Sequence, residues 1–188
     1  MTTRTVRLER RPPRWLIRVA WTAFAVTVPS AVWRVLMIVG LMPGTADLRA
    51  FELGDDHTVN YLWVFGLSVV QLTAAFLTVG LVRPWGTVFL GRRVPRWPVI
   101  AVATAGGLAV TWLFTVSLPA QIATGHRPDA GHVSGLPLVV MFACYAPIVL
   151  WGPLELVATY GYRRFTGRGH HPSTNAVADR YASDSASR

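Results

Sequence analysis

Four stretches that carry almost no charge, residues 19–42, 62–82, 99–118 and 138–160, constrain this chain more than any other feature of its sequence. Each is close to the roughly 20 apolar residues that a helix needs to cross a hydrocarbon core about 30 Å thick. Their ends are punctuated. Arg18 and Pro43 bracket the first, Arg83-Pro84 follow the second, Pro98 and Pro119 bracket the third, and Pro137 and Arg163-Arg164 bracket the fourth. Proline is tolerated in the first turn of a helix and disfavoured in its interior, so these positions support the boundaries. A membrane core offers no water to an unpaired backbone, and a helix pairs its own. The expected fold is therefore all-α, a four-helix transmembrane bundle. Residues 1–18 form a basic tail, 19–160 one membrane domain and 161–188 a disordered tail without an apolar run.

Composition agrees once the charge is located. The chain has 188 residues, of which 52% are hydrophobic and only 14% charged, yet its net charge is +9. A soluble domain is about 25% charged. All 18 basic residues are Arg, as a GC-rich genome would favour. The apolar content excludes a disordered chain. The single cysteine, Cys144, excludes an internal disulfide framework and a cysteine-based metal cluster. No nucleic-acid partner is expected, because no organised basic face with base readers is visible.

The arginines fall on one side. Arg4, Arg7, Arg10, Arg11, Arg14 and Arg18 precede the first span, Arg83, Arg92, Arg93 and Arg96 lie between the second and third, and Arg163, Arg164 and Arg168 follow the fourth. The two remaining loops hold Asp47, Glu52, Asp55, Asp56 and Asp129 against Arg49 and Arg127. Basic loops stay in the cytoplasm, which predicts cytoplasmic N- and C-termini in a plasma (inner) membrane. Trp15, Trp85 and Trp97 mark the inner boundary and Trp63 the outer one, as an aromatic belt does. A cleaved signal peptide is the rival reading of span one. The apolar run continues through Val35–Val39, too far for a signal core of about 7–15 residues.

Charges within a span are costly and point to function by default. Arg34 lies about 9 Å outward of the middle of span one, and Glu155 about 9 Å inward of the middle of span four. They should not pair, being about 18 Å apart in depth. Arg18 is at a suitable depth for Glu155 if spans one and four are neighbours. Arg34 shares a helix face with Ala23, Thr27 and Ser30, and span two repeats the pattern in Ser68, Gln71, Ala75 and Thr78. The expected polar cluster is Arg34, Ser68, Gln71 and Tyr145 in the outer half of the bundle. The competing reading has Arg34 snorkelling to the headgroups, with the small and hydroxyl residues as packing contacts. Ala103, Gly107, Thr111 and Thr115 of span three read as such a packing stripe. Pro29, Pro147 and Pro153 should kink their spans. Span four is expected to be broken.

Other chemistry is sparse. All five histidines lie outside the spans, so no haem or metal within the bundle and no cofactor is expected. No Ser-His-Asp set is defined by spacing, and the chain is not expected to be an enzyme. Asp55, Asp56 and His57 in one outer loop, with His126, Asp129 and His132 in the other, are weak candidates for an external metal site. A short helix is expected near Thr45 to Leu53, capped by Thr45 or Asp47. The lipid bilayer is the one firm partner, with other membrane proteins next.

Three stretches carry a resemblance: Arg83-Pro84-Trp85-Gly86, Gly91-Arg92-Arg93-Val94-Pro95, and Leu150-Trp151-Gly152-Pro153-Leu154 with Tyr162-Arg163-Arg164. Together they resemble uncharacterised four-span integral membrane proteins of actinobacteria, over residues 15–165. The resemblance implies topology and source, and no activity. The leading expectation is a non-enzymatic accessory or structural membrane component. The alternative is a transporter or channel component with Arg34 and Gln71 lining a pathway.

Overall fold

The computed structural model describes residues 12–54, 57–83, 88–89, 92–93, 95–127 and 129–167. Span one comprises α1 (Arg14–Ala25) and α2 (Val28–Ile38), and the loop after it holds α3 (Ala46–Leu53). Span two is α4 (His57–Gly80). Span three is α5 (Arg96–Val110), a π-helical segment (Thr111–Ser117) and α6 (Leu118–Ala123) in continuous succession. Span four is α7 (Gly135–Tyr145), a 3-10 segment (Ala146–Leu150) and α8 (Trp151–Gly167). Four helical stretches are long and apolar enough to cross a membrane: Arg14–Ile38, Thr58–Gly80, Arg96–Ala123 and Gly135–Thr166. A two-residue antiparallel pairing, Val88 with Arg93 and Phe89 with Arg92, joins spans two and three and leaves the class all-helical.

The helices overrun the expected boundaries. Arg14 and Arg18 belong to α1 rather than to the N-terminal tail, and residues 161–167 continue α8 rather than opening a disordered tail. Span three passes Pro119, which was expected to end it. Pro119 follows directly on the π segment, where the Leu118 N–H reaches back five residues to the Leu113 carbonyl, and the helix runs on through it. Trp15, Trp63 and Trp97 are exposed at helix ends, as a belt requires, and Trp85 lies outside the described residues.

The expected interruptions are present and have local causes. Pro29 cannot donate to the Ala25 carbonyl, and span one turns at Val26-Thr27. The Thr27 hydroxyl donates to the Phe24 carbonyl at 2.7 Å, and Ser30 donates to the Thr27 carbonyl at 2.9 Å. In span four, Pro153 deprives the Val149 carbonyl of its usual donor. The Thr115 hydroxyl, on the neighbouring span, donates to that carbonyl at 2.6 Å. A break in one helix is thus repaired by another, as membrane helices with internal prolines require.

The spans pack in the order two, one, four, three. Span one lies against both α4 and α8, and α5 lies against α8, whereas among the described residues spans two and three share no extensive packed interface. Glycines allow the close approaches. A Cβ on Gly152 would overlap the Thr111 backbone, and one on Gly161 would lie 2.6 Å from Leu16 Cδ1. The stripe in span three serves packing as expected: Gly107 accommodates Leu156, and Thr111 meets Gly152. Span three is otherwise peripheral, with 6% of its apolar window buried against 39% for span one. The short helix α3 forms as expected, but its cap does not. The Thr45 hydroxyl donates to the Met42 carbonyl at 2.8 Å and accepts no bond from the helix N–H groups.

Candidate functional site

The break in span one decides where the polar side chains meet. Gln71 of α4 reaches across to it, donating through Nε2 to the Thr27 carbonyl at 3.1 Å and to Ser30 Oγ at 2.9 Å. Its other amide atom, Oε1, accepts from Arg34 Nη1 at 3.3 Å. The Arg34 guanidinium also lies 5.9 Å from the centre of the Tyr145 ring. Three members of the expected cluster, Arg34, Gln71 and Tyr145, are therefore brought together. Ser68 is not joined to them: its hydroxyl is buried and donates to the Val64 carbonyl of its own helix at 3.0 Å. Thr27 and Ser30 take its place. Their place on Arg34's face was legible, but the bond from Gln71 to the Thr27 carbonyl, which also accepts from the Ala31 N–H at 3.3 Å, was not.

Arg34 is poorly compensated. A guanidinium has five N–H donors. Among the described residues, Arg34 has one acceptor and no carboxylate partner. At 3.3 Å that bond is long beside the roughly 2.7–2.9 Å of a strong charge-assisted bond. A cation–π contact contributes about 0.5–2 kcal/mol. An arginine deep in a membrane helix costs about 3 kcal/mol even on the lowest scales, so little of the charge is offset within the chain.

The unsatisfied charge faces a cavity of about 700 Å³. Its walls come from every span and from α3: Trp33, Arg34 and Met37 of α2, Leu48 and Glu52 of α3, Trp63, Val64 and Leu67 of α4, Phe114 with Leu118 and Ile122 of span three, and Met141, Tyr145 and Val149 of span four. Arg34 is the only cation in this lining. The cavity occupies the gap where spans two and three fail to pack. Trp63, Leu67 and Pro119 on its walls are exposed to the exterior. Its floor lies at the π and 3-10 segments, through Phe114, Ala146 and Val149. Arg34 and Tyr145 were legible in the sequence but the cavity was not, because hydropathy does not reveal which two spans stand apart.

Glu155 is buried, but not in the expected ion pair. Arg18 is exposed on α1, and among the described residues it makes no salt bridge to Glu155. The Glu155 side chain instead lies on Gly106 and Gly107 of α5. A Cβ on Gly106 would meet Glu155 Oε1 at 3.6 Å, and one on Gly107 would meet Cγ at 3.5 Å. The glycine pair supplies the space that the carboxylate occupies, and this draws Glu155 toward span three rather than span one.

The loops at the α3 end are locked by other contacts. Arg127 grips Asp129 in a fork, Nε to Oδ1 at 3.0 Å and Nη2 to Oδ2 at 2.6 Å, and also donates to the Val133 carbonyl at 2.8 Å. Burial alone would raise the Asp129 pKa. The bonds from Arg127 and the Val133 N–H outweigh it and hold the carboxyl below its ordinary range. The His132 ring stacks on Phe51 of α3 at 4.5 Å, and His126 faces Thr124. Asp129 is thus committed to Arg127 rather than to a metal. Among the described residues no three His, Cys, Asp or Glu side chains come together as ligands. Asp55 and Asp56 lie outside the described residues, as does the side chain of His57.

No protein family, curated protein or solved structure matches this chain.

Proposed function

We propose that this protein is a non-enzymatic, multi-pass component of the plasma membrane, with both termini cytoplasmic, that holds a small molecule in the cavity beside Arg34. The observation that carries the reading is a half-buried guanidinium with no counterion among the described residues, facing about 700 Å³ of mostly apolar space. That volume falls within the roughly 300–1,000 Å³ typical of ligand sites. The distribution of arginines supports this orientation, and in it the cavity would lie in the outer half. Membership of a larger complex is compatible with this role, and the resemblance to actinobacterial four-span proteins adds the expected topology.

The test is mass spectrometry of the intact protein released from its own membranes in mild detergent. The expected result is a bound small molecule on wild type that disappears in Leu67→Trp, which sets a bulky ring at the exposed edge of the cavity. A mass equal to the bare chain in both would contradict the reading.

The transporter alternative has one observation in its favour: spans three and four are irregular at the cavity floor, and span one is broken near it. Such segments are where transporter helices move. Reconstituted vesicles that release the molecule bound by the wild type, and fail to do so with Leu67→Trp, would favour transport over simple binding.

A further inference from the structure

We infer that the occupant is a monoanionic amphiphile drawn from the bilayer, with a carboxylate head on Arg34 and a hydrocarbon body in the apolar part of the cavity. The inference rests on the reading of the cavity as a binding site and deepens it. Three observations select this chemistry.

The first is charge. Arg34 is the only cation of the lining, and its one internal acceptor, Gln71 Oε1, is neutral and 3.3 Å away. A planar guanidinium with free donors matches a carboxylate, which accepts two parallel N–H bonds. The second is the sign of the neighbours. The acids that line the cavity are Glu52, exposed on α3, and Asp129, neutralised by Arg127. An acidic side chain at the α3 end of the cavity disfavours a dianion and leaves a single anionic group as the match for Arg34. The third is access. The cavity lies where spans two and three stand apart, and exposed apolar residues, Trp63 and Leu67, border it on the α4 side. A ligand dissolved in the membrane can enter sideways, tail and head together, without crossing the polar loops of the α3 end. The walls on which the tail would rest, such as Phe114, Met141 and Val149, have no hydrogen-bonding side chains.

No bond is made or broken. The carboxylate replaces the missing counterion of Arg34, and the tail replaces loosely held lipid.

The experiment uses the full chain in nanodiscs of phosphatidylcholine, which carries no net charge, at alkaline pH with radiolabelled oleate as the probe. Saturable binding of one oleate per chain is expected. Oleyl alcohol, with the same tail and no charge, should compete at least about tenfold more weakly. Arg34→Gln should weaken oleate binding by at least about tenfold, and Arg34→Lys by less. Leu67→Trp should abolish binding of both molecules. Equal binding of oleate and oleyl alcohol to the wild type would overturn the inference about the charge while the cavity reading survives. The alcohol arm needs no variant, so a misfolded Arg34→Gln cannot obscure the result. Non-saturable uptake that is unchanged in Leu67→Trp would overturn both.

Discussion

At the scale of single residues, the bundle is held by polar groups that answer specific breaks in the backbone. Gln71 illustrates this, since one amide closes on a carbonyl of the turn in span one and on the Ser30 hydroxyl. Gln71→Leu should destabilise the protein by about 1 kcal/mol, the usual size of such bonds between membrane helices. Unfolding in mixed micelles measures this, and an unchanged midpoint would mean that the bonds do not hold spans one and two together. Asp129 gives a pH dependence. Its folded pKa is lowered, so its contribution to stability is complete above the ordinary carboxylate range and is lost as pH falls through the lowered folded value. The melting temperature of the wild type should drop on acidification from about pH 5 to about pH 3. Asp129→Asn should start lower and lose that part of the slope. Arg34 was legible in the sequence as the deep charge of span one. Its bond to Gln71 was legible too, because spans that run antiparallel bring those two depths together. The failure of Ser68 to join them was not legible, because a serine in a helix can satisfy itself on its own backbone, as Ser68 does with Val64.

At the scale of elements, prolines and glycines govern the spans. The proline positions made the kinks in spans one and four predictable. They misplaced the end of span three, where π turns let the helix run on past Pro119 to Ala123. The repair of the Val149 carbonyl by Thr115 links two spans that hydropathy treats as separate. Thr115→Val should remove the repair and cost about 1 kcal/mol, with the loss confined to the contact between spans three and four. Gly152→Ala should cost more, about 1–3 kcal/mol, because the added methyl overlaps the backbone of Thr111 and not merely a flexible side chain. Denaturant unfolding of the two variants side by side checks the order, and a Gly152→Ala protein as stable as wild type would show that the helices can part there without loss.

At the scale of the whole molecule, the arrangement is an incomplete ring. Span four sits between spans one and three, span two packs on span one, and the ring stays open between spans two and three. The number of spans was legible because bilayer thickness imprints a length on the sequence. Their order was not, since lipid and protein interiors are equally apolar and hydropathy carries no neighbour information. The gap in the ring creates the cavity, and the proposed orientation, read from the bias of arginines, would put it in the external half. Both are joined in one proposal: the α3 end of the cavity, at Glu52, faces outward. Replacing Cys144 by Ser removes the only native thiol. Single cysteines introduced as Glu52→Cys and Thr166→Cys then report each side through a membrane-impermeant maleimide on intact cells. The first should be labelled from outside and the second only after the cells are opened. Labelling of Thr166→Cys on intact cells, with Glu52→Cys protected, would contradict the proposal.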